Sequence, residues 1–251
     1  MKQVQKIMGM DVVIDIVDLN ISQEVFDKAF SYLKTVDERF STYKPESEIS
    51  QINRNKIIKE HFSSEMREVL RLSEETRLET NNFFNIKNKV NEYDPSGLVK
   101  GWSIHNAAKI LRENGCKNFL IDIGSDIQVD GKNETGENWA IGIKNPFKPN
   151  KEIIKIVYLA NRGIATSGKY AKGDHIYNPN DFLDTLDEIE SVTVIAENIY
   201  EADRFATAIF AMGKDGINFL ENKKGLEGYV IDKNGIATMT SGFEKYTKQH
   251  D

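Results

Sequence analysis

Between residues 119 and 166, five strand-like segments follow one another with no helical period between them. They cover 119–123, 127–129, 139–143, 153–159 and 163–166, and turn residues such as Asp130-Gly131 and Asn145-Pro146 close them. Parallel neighbours need a long crossover, usually a helix, whereas antiparallel neighbours need only a short turn. The succession therefore points to antiparallel sheets and an α+β class. Segments 153–159 and 163–166 read as a hairpin pair. A last hairpin joins 229–232 to 236–239 across Lys233-Asn234-Gly235, because Asn-Gly favours a type I′ turn. Residues 8–17, the short run Phe83, Phe84 and Ile86, and the β-branched 191–196 supply further strands. The acidic stretch 181–190 reads as an exposed loop.

Helical periods occupy the rest. Ser22 opens a helix to about Phe40, with Val25, Phe26, Ala29, Phe30, Leu33 and Val36 on one face. A short helix ends near Asn53, and an amphipathic one spans 64–79. Another begins at Leu98 and ends at Gly115. Phe205, Ile209 and Met212 mark an apolar face within 201–213, which Gly213 stops. About four or five helices with some ten short strands, and no repeat or linker, predict one domain over residues 1–251.

Composition narrows the function classes. A net charge of −6 argues against a nucleic-acid partner. The single Cys116 leaves no internal disulfide framework and no Cys-rich metal site. No apolar run reaches about 18 residues, so no transmembrane segment is expected. The opening residues 1–6 carry no apolar leader, so the expectation is a cytoplasmic chain or one from which an export signal has been trimmed. Neither a Gly-x-Gly-x-x-Gly after a strand nor a Gly-Lys-Ser/Thr loop is present.

Two stretches suggest chemistry. Asp203 and Thr207 lie four apart on one helix, so a carboxylate and a hydroxyl project from the same side. Such oxygens suit a hard cation such as Mg²⁺. Alternatively, Asp203 caps the helix and Thr207 back-bonds to its own chain. The turn Asp94-Pro95-Ser96-Gly97 enters a helix whose free N–H groups form a ready phosphate site. Lys100 in that first turn opposes the helix dipole and fits better with an anion present. His175 is the titrating candidate for a base, or else it only orders Asn178-Pro179. His61, His105 and His250 fall outside any motif and read as surface residues.

Four segments, taken in order, resemble the ApbE family of FAD:protein FMN transferases. They are Met8-Gly9-Met10; Phe40-Ser41-Thr42-Tyr43 with Ser47-Glu48-Ile49 and Asn53; Asp94 through Trp102 with Ile123-Gly124-Ser125-Asp126-Ile127; and Thr166-Ser167-Gly168, His175-Ile176, Pro179, 191–194, Ala202-Asp203 and Thr207. The resemblance implies an ApbE-like, T-fold-related architecture of mixed helices and antiparallel sheets in one unit. It implies a Mg²⁺-dependent transferase that cleaves FAD, moves FMN onto a Thr or Ser hydroxyl of an acceptor protein, and releases AMP. Asp203 and Thr207 would bind the metal through side chains and Gly97 through its carbonyl. Met8 and Tyr43 would sit against the flavin or adenine. Phe83, Phe84, Asn85, Asp94, Lys100, Thr166, Ser167 and Ile176 match FAD-contacting positions, and His175 or Asp203 would act as base. An FAD pyrophosphatase and a non-catalytic FAD-binding module are the alternatives.

The chain departs from the family pattern in places. Asn85 stands where Asp is usual, as does Asn178, and Ser125 stands in a usual Gly-Gly-Asp. The insertion common before Asp94 is almost absent, which resembles a compact branch.

Overall fold

Eight strands form one antiparallel sheet, the core of a computed structural model that describes residues 1–148, 152–169, 176–181 and 186–248. In spatial order they are β1 (Lys2–Ile7), β2 (Met10–Ile16), β3 (Phe119–Ile123), β4 (Asp126–Asp130), β7 (Arg162–Gly168), β8 (Ile189–Ala196), β9 (Glu227–Asp232) and β10 (Ala237–Met239). Among the described residues, β5 (Trp139–Lys144) and β6 (Ile153–Leu159) pair only with each other. The helices are α1 (Gln23–Phe40), α2 (Glu48–Asn53), α3 (Ser64–Glu79), α4 (Val99–Glu113), α5 (Ile199–Ala211) and α6 (Gly216–Glu221). This is the α+β arrangement of helices and antiparallel sheets that the sequence predicts. No helix among the described residues is long and apolar enough to cross a membrane.

Strand alternation sends each strand's side chains to two separate cores. On β8, Val192, Val194 and Ala196 join α1, α4 and α5 in one cluster, whereas Ile195 faces the other way. There it meets Ile127, Val129, Trp139, Ile141, Val157 and Phe243, so β5 and β6 cover the sheet face opposite the helices. A third cluster joins the end of α1 to α2, α3 and the start of α4 through Phe40, Ile49, Met66, Leu98 and Trp102. Burying such a side chain is worth roughly 1.5–3 kcal/mol each.

Several local expectations are corrected. β6 and β7 do not form a hairpin, because β7 pairs with β4 and β8 in the large sheet while β6 pairs with β5. A period of two identifies a strand but not its partner. Met8 does not open a strand; with Gly9 it forms the turn between β1 and β2, at φ 56 and 72. Residues 83–86 form no strand, because Phe84 is buried from an irregular segment in which the Asn85 side chain accepts from Lys87 N. In the last hairpin only Gly235 is left-handed, and its N–H reaches Asp232 O, so the turn is not type I′. Ile189 already belongs to β8 and Leu186 is buried, which shortens the expected acidic loop. His105 is half-buried, and its imidazole is pushed down by burial and by Arg112.

Candidate functional site

Two polar contacts fix the start of α5, one within the helix and one, buried, to the sheet. Asn198 caps the helix by accepting from Glu201 N, and the Gln128 side chain of β4 accepts from Ile199 N at 3.0 Å. Gly163 of β7 lies under this end; a Cβ there would meet Ile199 N at 2.1 Å. Asn198 is therefore the cap, and Asp203 projects from the next turn.

Asp203 does not bond to its own helix either. It is buried, and its Oδ2 accepts from Gly101 N at 2.6 Å, across to the first turn of α4. The anion expected at that helix start is thus, in part, a carboxylate of the protein itself. Two glycines permit the approach. A Cβ on Gly101 would lie 2.5 Å from Asp203 Cβ, and one on Gly97 would lie 2.9 Å from Thr207 Cγ2 and 3.5 Å from its Oγ1. Gly97, Asp203 and Thr207 therefore meet where α4 crosses α5. Thr207 is half-buried, and its hydroxyl makes no hydrogen bond among the described residues.

Asp126 completes the cluster. It opens β4, is buried, accepts from Thr166 N at 3.2 Å, and pairs with Lys100 Nζ at 2.6 Å. Burial, and next the Asp126 charge, push the Asp203 carboxyl well above the usual range against the pull of Lys100 and Gly101 N. Burial opposes the Lys100 ammonium, but Asp126, Asp203 and Asp122 outweigh it and hold its pKa above the usual value. The protonated Asp203 is therefore favoured beside Asp126, and ionising both carboxyls needs more positive charge than Lys100 supplies, which a cation would provide. Asp126 is the residue the candidate set omits; the Gly-Ser-Asp turn was its only signal in the sequence.

Gly97, Lys100, Asp203 and Thr207 of this cluster lie in the wall of a cavity of about 560 Å³, and Asp126 is not among its lining residues. Met8, Phe83, Phe84, Asn85, Asp94, Gly97, Lys100, Thr166, Ser167, Ile176, Asp203 and Thr207 all line it. A second cavity of about 410 Å³ adjoins it, sharing Met8, Asp94, Ser96 and Lys100, and holds Tyr43 in its rim, 91% exposed. Asp94 caps the turn before α4 by accepting from Ser96 N at 3.0 Å. The sequence-derived residues are thus brought to one two-lobed cleft, with Lys100 at the junction. His175 lies outside the described residues. Among the described residues, no three His, Cys, Asp or Glu side chains gather as a metal site, so any cation here would rest on mixed oxygen donors.

This architecture is shared with solved ApbE structures. The flavin transferase ApbE from Vibrio cholerae superimposes with a TM-score of 0.85 at 20% identity, covering 98% of each chain. The ApbE protein from Thermotoga maritima gives 0.84 at 19% identity, covering 99% of each. The sequence profile of the ApbE family matches residues 8–90 and 86–230, and the chain belongs to that family. An FAD:protein FMN transferase of Haemophilus influenzae is 29% identical over 167 residues, 62% of this chain and 48% of that protein. One from Vibrio cholerae is 30% identical over 130 residues, 49% of this chain and 39% of that protein. The chain thus spans about half the length of the Haemophilus relative.

Proposed function

We propose that residues 1–251 act as one unit that transfers FMN from FAD to a Thr or Ser hydroxyl of an acceptor protein, with Mg²⁺ as cofactor. The observation that carries this reading is the meeting of Gly97, Asp203 and Thr207 at the α4–α5 crossing, in the wall of a two-lobed cleft. The names of the curated relatives support it.

The donor set fits a hard cation. Asp203 and Asp126 supply two buried carboxyl groups beside one ammonium, so both ionise only with further positive charge, and the Thr207 hydroxyl makes no hydrogen bond among the described residues. Asp203, Thr207 and the Gly97 carbonyl would hold Mg²⁺, leaving positions for phosphate oxygens and water. When bound, the ion would draw charge from the diphosphate oxygens. The chain's own groups do the remaining work. The two lobes accept the two halves of a dinucleotide, with Met8 and Tyr43 offering apolar surface to a ring. Lys100 sits at the junction, where a diphosphate would cross between lobes. The acceptor oxygen bonds to the FMN phosphorus, the bridging P–O bond breaks, and its electrons leave with AMP. The hydroxyl proton passes to a base, for which His175 and Asp203 are the candidates.

The test is incubation with FAD, Mg²⁺ and an acceptor domain. Equal amounts of protein-bound flavin and AMP are expected, with Asp203→Ala inactive but folded. Free FMN with unlabelled acceptor would make water the acceptor. Bound but uncleaved FAD would overturn catalysis altogether.

A further inference from the structure

The turn joining β3 to β4 has two residues, Gly124 at φ 62 and Ser125 at φ 78, between the paired Ile123 and Asp126. Left-handed backbone at both positions defines a type I′ turn, whose second position favours glycine because a Cβ is strained there. A side chain kept in such a conformation beside a cleft invites the question of what it does.

The Ser125 hydroxyl accepts a hydrogen bond from Lys144 Nζ at 3.0 Å, and its N–H donates to Asp122 Oδ1 at 2.8 Å. Lys144 is the last residue of β5 and comes from the two-stranded layer, not the large sheet. The hydroxyl therefore reaches across layers and holds an ammonium in the wall of the larger cavity. Lys100 and Lys144 are the lysines lining that cavity among the described residues. The charge of Lys100 is engaged by Asp126 at 2.6 Å. Lys144 has no carboxylate within ion-pair distance among the described residues. Its neighbour Asp122 has its carboxyl shifted up by burial, and one oxygen is taken by Ser125 N. Lys144 is thus the ammonium whose charge is available to an arriving anion.

We propose that Lys144 binds a phosphate oxygen of the nucleotide in this cleft, and that the strained Ser125 is its positioning residue. The proposal deepens the flavin-transfer reading and rests on it for the identity of the diphosphate.

The test measures dissociation constants for FAD and, separately, ADP in the wild type, K144M, S125G and the double variant. Loss of one charge-assisted bond weakens both ligands about tenfold in K144M, and K144R recovers most of this. S125G melts at or above the wild-type temperature, since glycine suits the turn, yet binds both nucleotides more weakly. The double variant binds no more weakly than K144M alone, because Ser125 acts through Lys144. In turnover, K144M raises KM for FAD with little change in kcat. Wild-type affinity in K144M for both ligands would overturn the proposal, as would an S125G defect that persists in the K144M background. Lys144-dependent ADP binding without FAD binding or cleavage would leave the proposal standing and remove the flavin reading. A wild type that binds neither nucleotide would remove both.

Discussion

Replacing Gly101 by alanine tests the helix crossing on which the site depends. In an open helix the change gains about 1 kcal/mol, because alanine is the better helix former. Here the new Cβ would lie 2.5 Å from Asp203 Cβ and 2.7 Å from Ile199 O, and the carbonyl cannot rotate away as a side chain could. Carbon contacts settle near 3.5–4.0 Å, so α4 and α5 must part by on the order of 1 Å. Overpacking of this kind costs about 1–3 kcal/mol. Stretching the 2.6 Å bond from Gly101 N to the protonated Asp203 of the metal-free protein loses a buried hydrogen bond, worth about 0.5–1.5 kcal/mol. Set against the helix gain, the net loss is about 0.5–3.5 kcal/mol. For a chain of this size that lowers Tm by roughly 1–14 °C. Scanning calorimetry of the metal-free protein reads this directly, and AMP release from FAD should fall with it. A variant melting at or above the wild type would show that the helices do not meet as described.

Thr207→Val removes a hydroxyl that makes no hydrogen bond among the described residues. It should keep Tm within about 0.5 kcal/mol-equivalent of wild type while weakening Mg²⁺ activation; a marked drop in Tm would instead give the hydroxyl a structural role. Burial, and next Asp126, raise the Asp203 carboxyl above its value in the unfolded chain. A group raised on folding adds stability below its unfolded pKa and loses it as pH rises through the folded one. Urea titrations of the metal-free protein should therefore show stability falling as pH climbs above the ordinary carboxylate range, with a shallower fall in Asp203→Asn and with Mg²⁺ present. Parallel profiles for wild type and variant would refute the shift. Tyr43, at 91% exposed, should be replaceable by alanine with unchanged Tm but weaker FAD binding by fluorescence quenching; unchanged affinity would remove it from the site.

The long helices were legible because their apolar faces repeat: Phe205 and Ile209 declare α5 before any partner is known. The Asp203–Thr207 pair was legible for the same reason, since a helix carries residues four apart on one side. Pairing across the sheet was not. β1 lies at the sheet edge, where Lys2, Val4 and Lys6 are exposed and the half-buried face is carried by Gln3 and Gln5, so it shows no apolar alternation. β6 and β7 each look like strands, but only the third layer decides that they belong to different sheets. Asp126 escaped the candidate set because its meaning depends on Lys100 and Asp203, distant in sequence and joined only by the fold. The cap on α5 went to Asn198, five residues before the aspartate that could have taken it.

The central claim is that one helical turn and one glycine carbonyl share a divalent ion on the diphosphate of a flavin dinucleotide. Crystals grown with FAD and Mn²⁺, measured for anomalous scattering at the manganese edge, test it most directly. The account predicts a peak bonded to Asp203, Thr207 and the Gly97 carbonyl and to the FAD phosphates. A peak elsewhere in the cleft, or FAD bound with its diphosphate away from Asp203, would contradict it.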